Sequence, residues 1–327
     1  MPLDRYMALC LGHPAHGYYM SRDPFGERGD FITAPEVSQI FGELIGVWLA
    51  SAWAMMGSPT TFNLVELGPG RGTLMADILK ASNVMPGFRE AARIHLVEMS
   101  PALRTLQREK LAGEVTWHER FSSLPEGPLL MVANEFFDAI PVRQFEKLEG
   151  EWFERCVGAK GMGLMPATLA GVHGDDGDVI EFAPQRLQTA TEIGQRLASH
   201  RGVALIIDYG HLQTAPGDTL QAIRAHKYVD VTDSPGESDL TSHVDFEALG
   251  KAIAPGQCTA ITQRAFLLAM GLEQRAAILS AKADAKTREI LARAVSRLAG
   301  EAEMGSLFKV MVATSPGMAT PYPFGKI

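Results

Sequence analysis

Between residues 62 and 133 short apolar runs alternate with segments of helical period. The runs at 62–67, 93–98, 115–118 and 129–133 are the length of strands. The central ones are near-continuously apolar, the pattern of strands buried on both faces. Between them, 73–81 places Leu74, Ile78 and Leu79 on one side, and 101–112 opens with Pro101. Both read as helices. This alternation predicts an α/β chain with a doubly wound, mostly parallel, Rossmann-like sheet. Val203 to Ile207 adds another buried strand. The last third predicts helices at 245–254 and 264–299 and strands at 258–262 and 307–313.

The flanking patterns differ. Residues 1–60 read as a helical extension with a glycine break at Gly26-Glu27-Arg28-Gly29-Asp30. Thr33 is placed to cap a helix, Pro35 falls in its first turn, and the helix is expected from Glu36 to Met56. From about 142 the strand and helix alternation stops. Residues 142–148 and 152–157 read as a hairpin about Glu149-Gly150, residues 171–178 as a loop, and 184–199 as a helix. The expected organisation is a helical extension over 1–60 and a core over 61–141 and 201–327. An inserted subdomain over 142–200 would serve as lid or substrate platform.

The join at residue 67 carries the most chemistry. Glu66-Leu67-Gly68-Pro69-Gly70-Arg71-Gly72-Thr73 is a strand end, a glycine turn and a helix start. Glycines let the backbone approach a ligand that a Cβ would exclude, and N–H groups at a helix start favour an anion. A dinucleotide loop has its third glycine where Thr73 stands; here the spacing is E-x-G-x-G-x-G. An acid at the strand end suits an ammonium, and glycine N–H groups suit a carboxylate. Those are the two ends of the amino-acid part of S-adenosyl-L-methionine. A tight turn with no ligand has the same pattern. Glu98 ends the next strand, about one helix and one strand further on, where a carboxylate can accept from both hydroxyls of a ribose diol. A solvated strand-end carboxylate is the alternative there.

Composition agrees with an enzyme. The 327 residues are 46% hydrophobic and 21% charged, enough for a large core. A net charge of −8 argues against general nucleic-acid binding and suits a cationic substrate. Cys10, Cys156 and Cys258 lack metal spacing and fit a reducing compartment. No signal peptide is expected, and no apolar run reaches membrane-spanning length, so no membrane insertion is expected. No metal site is expected, because His13, His16 and His211 lack companions at ligand spacing.

Ligands in such sheets lie beyond the carboxyl ends of the strands. One strand ends in Asn134-Glu135-Phe136-Phe137-Asp138 and another in Asp208-Tyr209-Gly210-His211. A polar run over 236–246 brings Asp239 and His243. Ser238 or Asp239 could instead cap a helix, and His243 could be packed in a core. Together these predict an acidic, aromatic-lined pocket. A sulfonium is already an activated electrophile, so catalysis is mainly alignment. A guanidinium is a poor nucleophile that carboxylates can orient bidentately. Glu135 and Asp138 are the first candidates, then Asp208. Glu66, Gly68, Gly70, Gly72, Glu98 and Asn134 are the cofactor candidates, and Phe136, Tyr209, Asp239 and His243 the substrate candidates.

The chain resembles the MidA-type methyltransferases, which include a mitochondrial complex I assembly factor that methylates an arginine. The resemblance covers nearly the whole chain. It rests on Gly29–Ser38, Glu66–Met75, His95–Glu98, Asn134–Val142, Asp208–His211, Asp239–Thr241 and Val244–Phe246. It implies a class I methyltransferase fold, S-adenosyl-L-methionine as cofactor, and a protein arginine as substrate, such as one on an NADH dehydrogenase core subunit. No Arg- and Ser-rich transit segment is read in the chain, so a bacterial, cytoplasmic member is expected, with eukaryotic relatives in the mitochondrial matrix. Two alternatives stand beside it: a small-molecule methyltransferase, and a non-catalytic assembly chaperone that binds the cofactor. An oligomer is left open.

Overall fold

The structure, a computed structural model, describes residues 1–21, 33–111 and 113–325. The expected glycine break at 26–30, and residues 29–32 of the first resemblance block, lie outside the described residues. In chain order the strands are β1 (Phe62–Leu67), β2 (Ala92–Val97), β3 (Val115–His118), β4 (Leu129–Asn134), β5 (Arg143–Leu148), β6 (Glu151–Gly158), β7 (Gly161–Ala167), β8 (Val179–Phe182), β9 (Gly202–His211), β10 (Gln221–Arg224), β11 (Lys227–Val229), β12 (Asp239–Thr241), β13 (Val244–Asp245), β14 (Gln257–Thr262) and β15 (Phe308–Thr314). The helices are α1 (Leu3–Gly12), α2 (Tyr18–Ser21), α3 (Ala34–Val37), α4 (Gln39–Met55), α5 (Thr73–Ala81), α6 (Phe88–Ala91), α7 (Pro101–Lys110), α8 (Pro184–Ser199), α9 (Phe246–Ala252), α10 (Gln263–Ala269), α11 (Leu272–Ala281), α12 (Ala285–Ala299) and α13 (Met304–Leu307).

The main sheet runs β14-β15-β9-β4-β1-β2-β3. The five strands from β9 to β3 are parallel, and β15 is antiparallel to both β9 and β14. Its central strands bury both faces. On β9, Val203, Leu205 and Ile207 enter one core with Trp48, Phe62 and Ile78, while Ala204 and Ile206 enter the other with Met131, Ile193 and Phe246. The period-two alternation of a strand divides them. The chain reverses direction across the sheet at β1, between β2 and β4, and there the carboxyl ends of the parallel strands open a crevice.

Several elements differ from expectation for local reasons. The helix expected over 36–56 is two helices, because Ser38 is extended (φ −162°, ψ 136°) and its hydroxyl accepts from Ile40 N–H to cap α4. Thr33 makes no side-chain cap; the Glu135 carboxylate accepts from Ala34 N–H instead, at 3.0 Å. The helical stretch 264–299 is three helices, broken at Gly271 with φ +88° and restarted where Asp284 caps α12. Neither Ser238 nor Asp239 caps a helix: Asp239 is inside β12, and Asp245 caps α9 through Ala248 N–H.

Beyond the expected hairpin, β7 and β8 complete a four-stranded sheet in the order β7-β6-β5-β8, and β11-β10-β12 forms a small third sheet. Helix α8 follows in the chain but packs on α9 and β9, and so lies against the main sheet. Leu3, Tyr6, Met7 and Tyr18 of the first two helices share a core with Val142 and Leu240. The N-terminal helices therefore wall one side of the crevice.

Candidate active site

The glycine loop follows β1 with Gly68, Gly70 and Gly72 all at positive φ (+61°, +51° and +77°). A Cβ on Gly68 would come within 2.8 Å of the Phe136 ring, so the loop cannot carry a side chain there. Gln107, fully buried on α7, donates to Gly70 O at 2.7 Å and accepts from the Trp117 indole at 2.8 Å. The same amide lies 3.4 Å from Glu98 Oε2, while Glu98 Oε1 accepts from Ser100 N–H at 2.7 Å. One glutamine thus couples the glycine loop to the acid at the end of β2.

A small cleft of about 40 Å³ lies beside the loop, lined by Glu66, Asn134, Glu135, Glu36, Gly68 and Gly70. Its deepest groups lack donors. Glu66 Oε2 and Asn134 Oδ1 are buried and make no hydrogen bond. Burial, with the Glu98 charge adding to it, pushes the Glu66 carboxyl up to about 8. Helix α3 is latched over this cleft: Thr73 donates to Glu36 Oε1 at 2.6 Å, Lys110 donates to Thr73 Oγ1 at 2.6 Å, and Arg71 stands 3.9 Å from Glu36.

At the end of β4 the chain turns through Glu135 at φ +51°, a left-handed conformation that costs a non-glycine residue energy. Glu135 Oε1 accepts from Ala34 N–H and from the Asn134 amide, both at 3.0 Å. Burial raises its carboxyl to about 7, with Asp138 adding to the shift. The loop that follows is held from below. Asp208 Oδ2 accepts from Phe136, Phe137 and Asp138 N–H at 3.0–3.2 Å, and Oδ1 from Tyr209 N–H at 3.0 Å. The buried Arg186 guanidinium donates to the carbonyls of Asp138, Ile140, Ser242 and His243 and to Ser242 Oγ.

Above the loop a cavity of about 1140 Å³ opens between α1, the residues after β3, α8 and the small third sheet. Gly68, Gly70 and Glu135 line both it and the small cleft, so the two spaces meet at those residues. Glu98, Asp138, Phe136, Tyr209, Asp239 and His243 all line the cavity. Burial raises Asp138, opposed by Tyr209 and by the Arg186 charge.

The structure therefore gathers most of the expected residues about one rim. Gly72 and Asp208 line neither space. Gly72 forms the left-handed start of α5, and Asp208 lies inside β9 rather than at its end, fully buried under the loop. Antiparallel pairing with β15 as far as Tyr209, and parallel pairing with β13 at Gly210 and His211, carry β9 on past Asp208, which is why Asp208 is enclosed. Sequence reading missed Gln107, Arg186, Glu36 and Tyr19. Nothing in a one-dimensional pattern separates a buried arginine that gathers carbonyls from a solvated one on a helix face.

Comparison with known proteins follows this geometry. A model for the family described as "Putative S-adenosyl-L-methionine-dependent methyltransferase" matches residues 44–262. The Drosophila melanogaster protein named protein arginine methyltransferase NDUFAF7 homolog, mitochondrial, is 36% identical over 97% of this chain and 82% of its own. The human protein arginine methyltransferase NDUFAF7, mitochondrial, is 36% identical over 93% and 77%. A crystal structure from Burkholderia thailandensis with S-adenosyl-homocysteine bound superposes with a TM-score of 0.84 at 30% identity, covering 98% of this chain and 89% of that one.

Proposed function

The chain belongs to this family of S-adenosyl-L-methionine-dependent methyltransferases, and on that premise we propose that it methylates a protein arginine. The observation that carries the reading is the junction at Glu135. There a cleft with unsatisfied acceptors meets a large cavity lined by acids and aromatic rings. The names of the fly and human relatives support the same substrate.

The residues present fit the cofactor. When bound, it supplies a methyl group activated on a sulfonium. Glu66 Oε2 and Asn134 Oδ1 offer two buried acceptors to its ammonium, which supplies the donors they lack. The glycine loop and the start of α5 offer N–H groups to its carboxylate. Glu98, aimed by Ser100 and Gln107, accepts from the ribose hydroxyls. On the substrate side, Glu135 and Asp138 hold the guanidinium and polarise charge away from the nitrogen that reacts. Asp208 serves by positioning: its contacts with three N–H groups fix the loop that carries both carboxylates.

We place the enzyme in a bacterial cytoplasm, with the core at 61–141 and 201–327 and the sheet within 142–200 as a platform for the acceptor. Among the described residues no helix is long and apolar enough to cross a membrane. The fly and human relatives are named mitochondrial. A respiratory NADH dehydrogenase core subunit is the first acceptor to test. The experiment is mass spectrometry of methylarginine in proteomes with and without this protein. A methylarginine site that disappears with the protein supports the reading, and identical methylarginine inventories count against it.

A further inference from the structure

The large cavity runs from the core to the surface, and its two ends differ in chemistry. At the inner end Asp138 is 6% exposed and Tyr209 8%. At the outer end Tyr228 is 75% exposed. Glu98, Glu119, Glu135, Asp138, Glu192 and Asp239 line the cavity, and Arg120 is the one lysine or arginine among the described residues that line it. The rim carries apolar side chains instead. Tyr228 on β11 and Ile223 on β10 are cross-strand partners, and both line the cavity. Leu307 of α13 lines it too and is 44% exposed.

The hairpin that carries Tyr228 holds it in place. Ala225 and His226 form a two-residue loop between the paired Arg224 and Lys227, and both are left-handed, with φ +50° and +61°. Such a loop matches the twist of the strands but strains residues other than glycine. Arg224 fastens the hairpin to the chain that follows, through Asp233 at 2.9 Å and Glu237 at 3.7 Å. A single exposed apolar side chain is ordinary. A tyrosine paired with an isoleucine at the mouth of an acidic cavity is a different case, because the wall and the mouth suit different groups. The cavity, at about 1140 Å³, is also larger than the roughly 300–1,000 Å³ that accommodates one small ligand. It is sized for a cofactor together with part of a second molecule.

We propose that Tyr228 and Ile223 bind an apolar residue next to the arginine in the acceptor chain, so that the enzyme selects for sequence as well as for the guanidinium. The identity of the group at the inner end rests on the arginine reading above. The acids hold that group but offer nothing to an apolar neighbour. Tyr228 and Ile223 cover the neighbour, and both partners then remove apolar surface from water. A tyrosine supplies a large, rigid contact for the loss of little conformational freedom. The occupant is a segment of a chain and not a free amino acid. Only a chain places a cation at the inner end and an apolar side chain at the outer one.

The test is calorimetry on the protein saturated with S-adenosyl-homocysteine. The probes are N-acetyl-arginine methylamide and two acetylated, amidated pentapeptides, Gly-Gly-Arg-Gly-Gly and Gly-Phe-Arg-Phe-Gly. The wild type is expected to bind the phenylalanine peptide about tenfold more tightly than either other probe, as burial of an aromatic side chain allows. Tyr228→Ser, at an exposed position, should remove most of that advantage, with affinity for S-adenosyl-homocysteine unchanged as the control for folding. Tyr228→Phe should retain it. Equal affinity for the three probes, no binding of either peptide, or an advantage that survives in Tyr228→Ser overturns the proposal. Sedimentation of the wild type and Tyr228→Ser tests the other occupant: a dimer that the substitution dissociates assigns the rim to a second copy and overturns the proposal too. Labelled methyl transfer to both pentapeptides is measured in parallel. Transfer to arginine with equal kcat/KM for the two defeats the rim and leaves the arginine reading standing. Binding that depends on the phenylalanines and on Tyr228, without transfer to any protein arginine, supports the rim and defeats that reading.

Discussion

Glu66 shows how one buried residue can set the conditions under which the protein works. Its carboxyl is raised to about 8, and one oxygen has no donor in reach. Such a group holds its proton across the neutral range and must release it to receive an ammonium. Cofactor affinity should therefore rise as pH increases from about 6 to about 8, and Glu66→Gln should flatten that rise. The sign for stability is opposite. A carboxyl whose folded pKa lies above its unfolded value binds more protons when folded. Its favourable contribution is present at low pH and is lost as pH climbs from the unfolded value through about 8. Melting curves of the protein without cofactor should fall over that window, and saturating cofactor should reverse the trend. A flat affinity profile in the wild type would remove Glu66 from the ammonium site.

Glu98 is the second test at this scale. Glu98→Gln keeps an acceptor for Ser100 N–H but turns a second amide towards the Gln107 amide. Loss of a charge-assisted bond to a hydroxyl costs roughly 1.5–3 kcal/mol, a drop of about one to two decades in cofactor affinity by calorimetry. Glu114→Gln, on an exposed residue, should change nothing. Equal behaviour of the two variants would show that general charge, not a ribose contact, is being measured.

Among the elements, the loop from Asn134 to Pro141 is the part on which the site depends. It is held by a carboxylate from β9 and a guanidinium from α8, and neither of those side chains lines the cavity. Arg186→Met would remove the guanidinium donor from the carbonyls of Ile140, Ser242 and His243, while the Asp138 carbonyl would keep Ser242 N–H. A cost of about 3 kcal/mol is expected, since each buried polar group left unpaired costs about 1–3 kcal/mol. Denaturant melts should show the loss, and methyl transfer should fall while cofactor affinity stays near wild type. A variant as stable as the wild type would mean that the loop holds its own shape.

The parts of the molecule legible in the sequence follow physical rules of short range. Strands β1, β2, β4 and β9 announce themselves because strands buried on both faces read as apolar runs, and Glu66, Glu98 and Asn134 end such runs directly. The glycine loop is legible because its backbone angles exclude other residues. The cap on α3 is not, since the Glu135 carboxylate that accepts from Ala34 N–H comes from 101 residues away. Nor is the small third sheet, whose strands are only three or four residues long and sit in a run of polar residues. Tyr19 meets Asp239 across 220 residues, and only the folded chain brings them together.

At the scale of the whole molecule, one junction joins the small cleft to the acid-lined cavity, and Glu135 stands at it. Glu135→Gln is the sharpest probe, because the amide oxygen can still accept from Ala34 N–H and preserve the cap on α3. The direct measurement is mass spectrometry of an acceptor protein after incubation with labelled S-adenosyl-L-methionine and either the wild type or this variant, with cofactor affinity measured alongside. The account predicts methylarginine from the wild type. It predicts at least tenfold less from Glu135→Gln at unchanged cofactor affinity. Label on any residue other than arginine, or wild-type turnover in the variant, would contradict it.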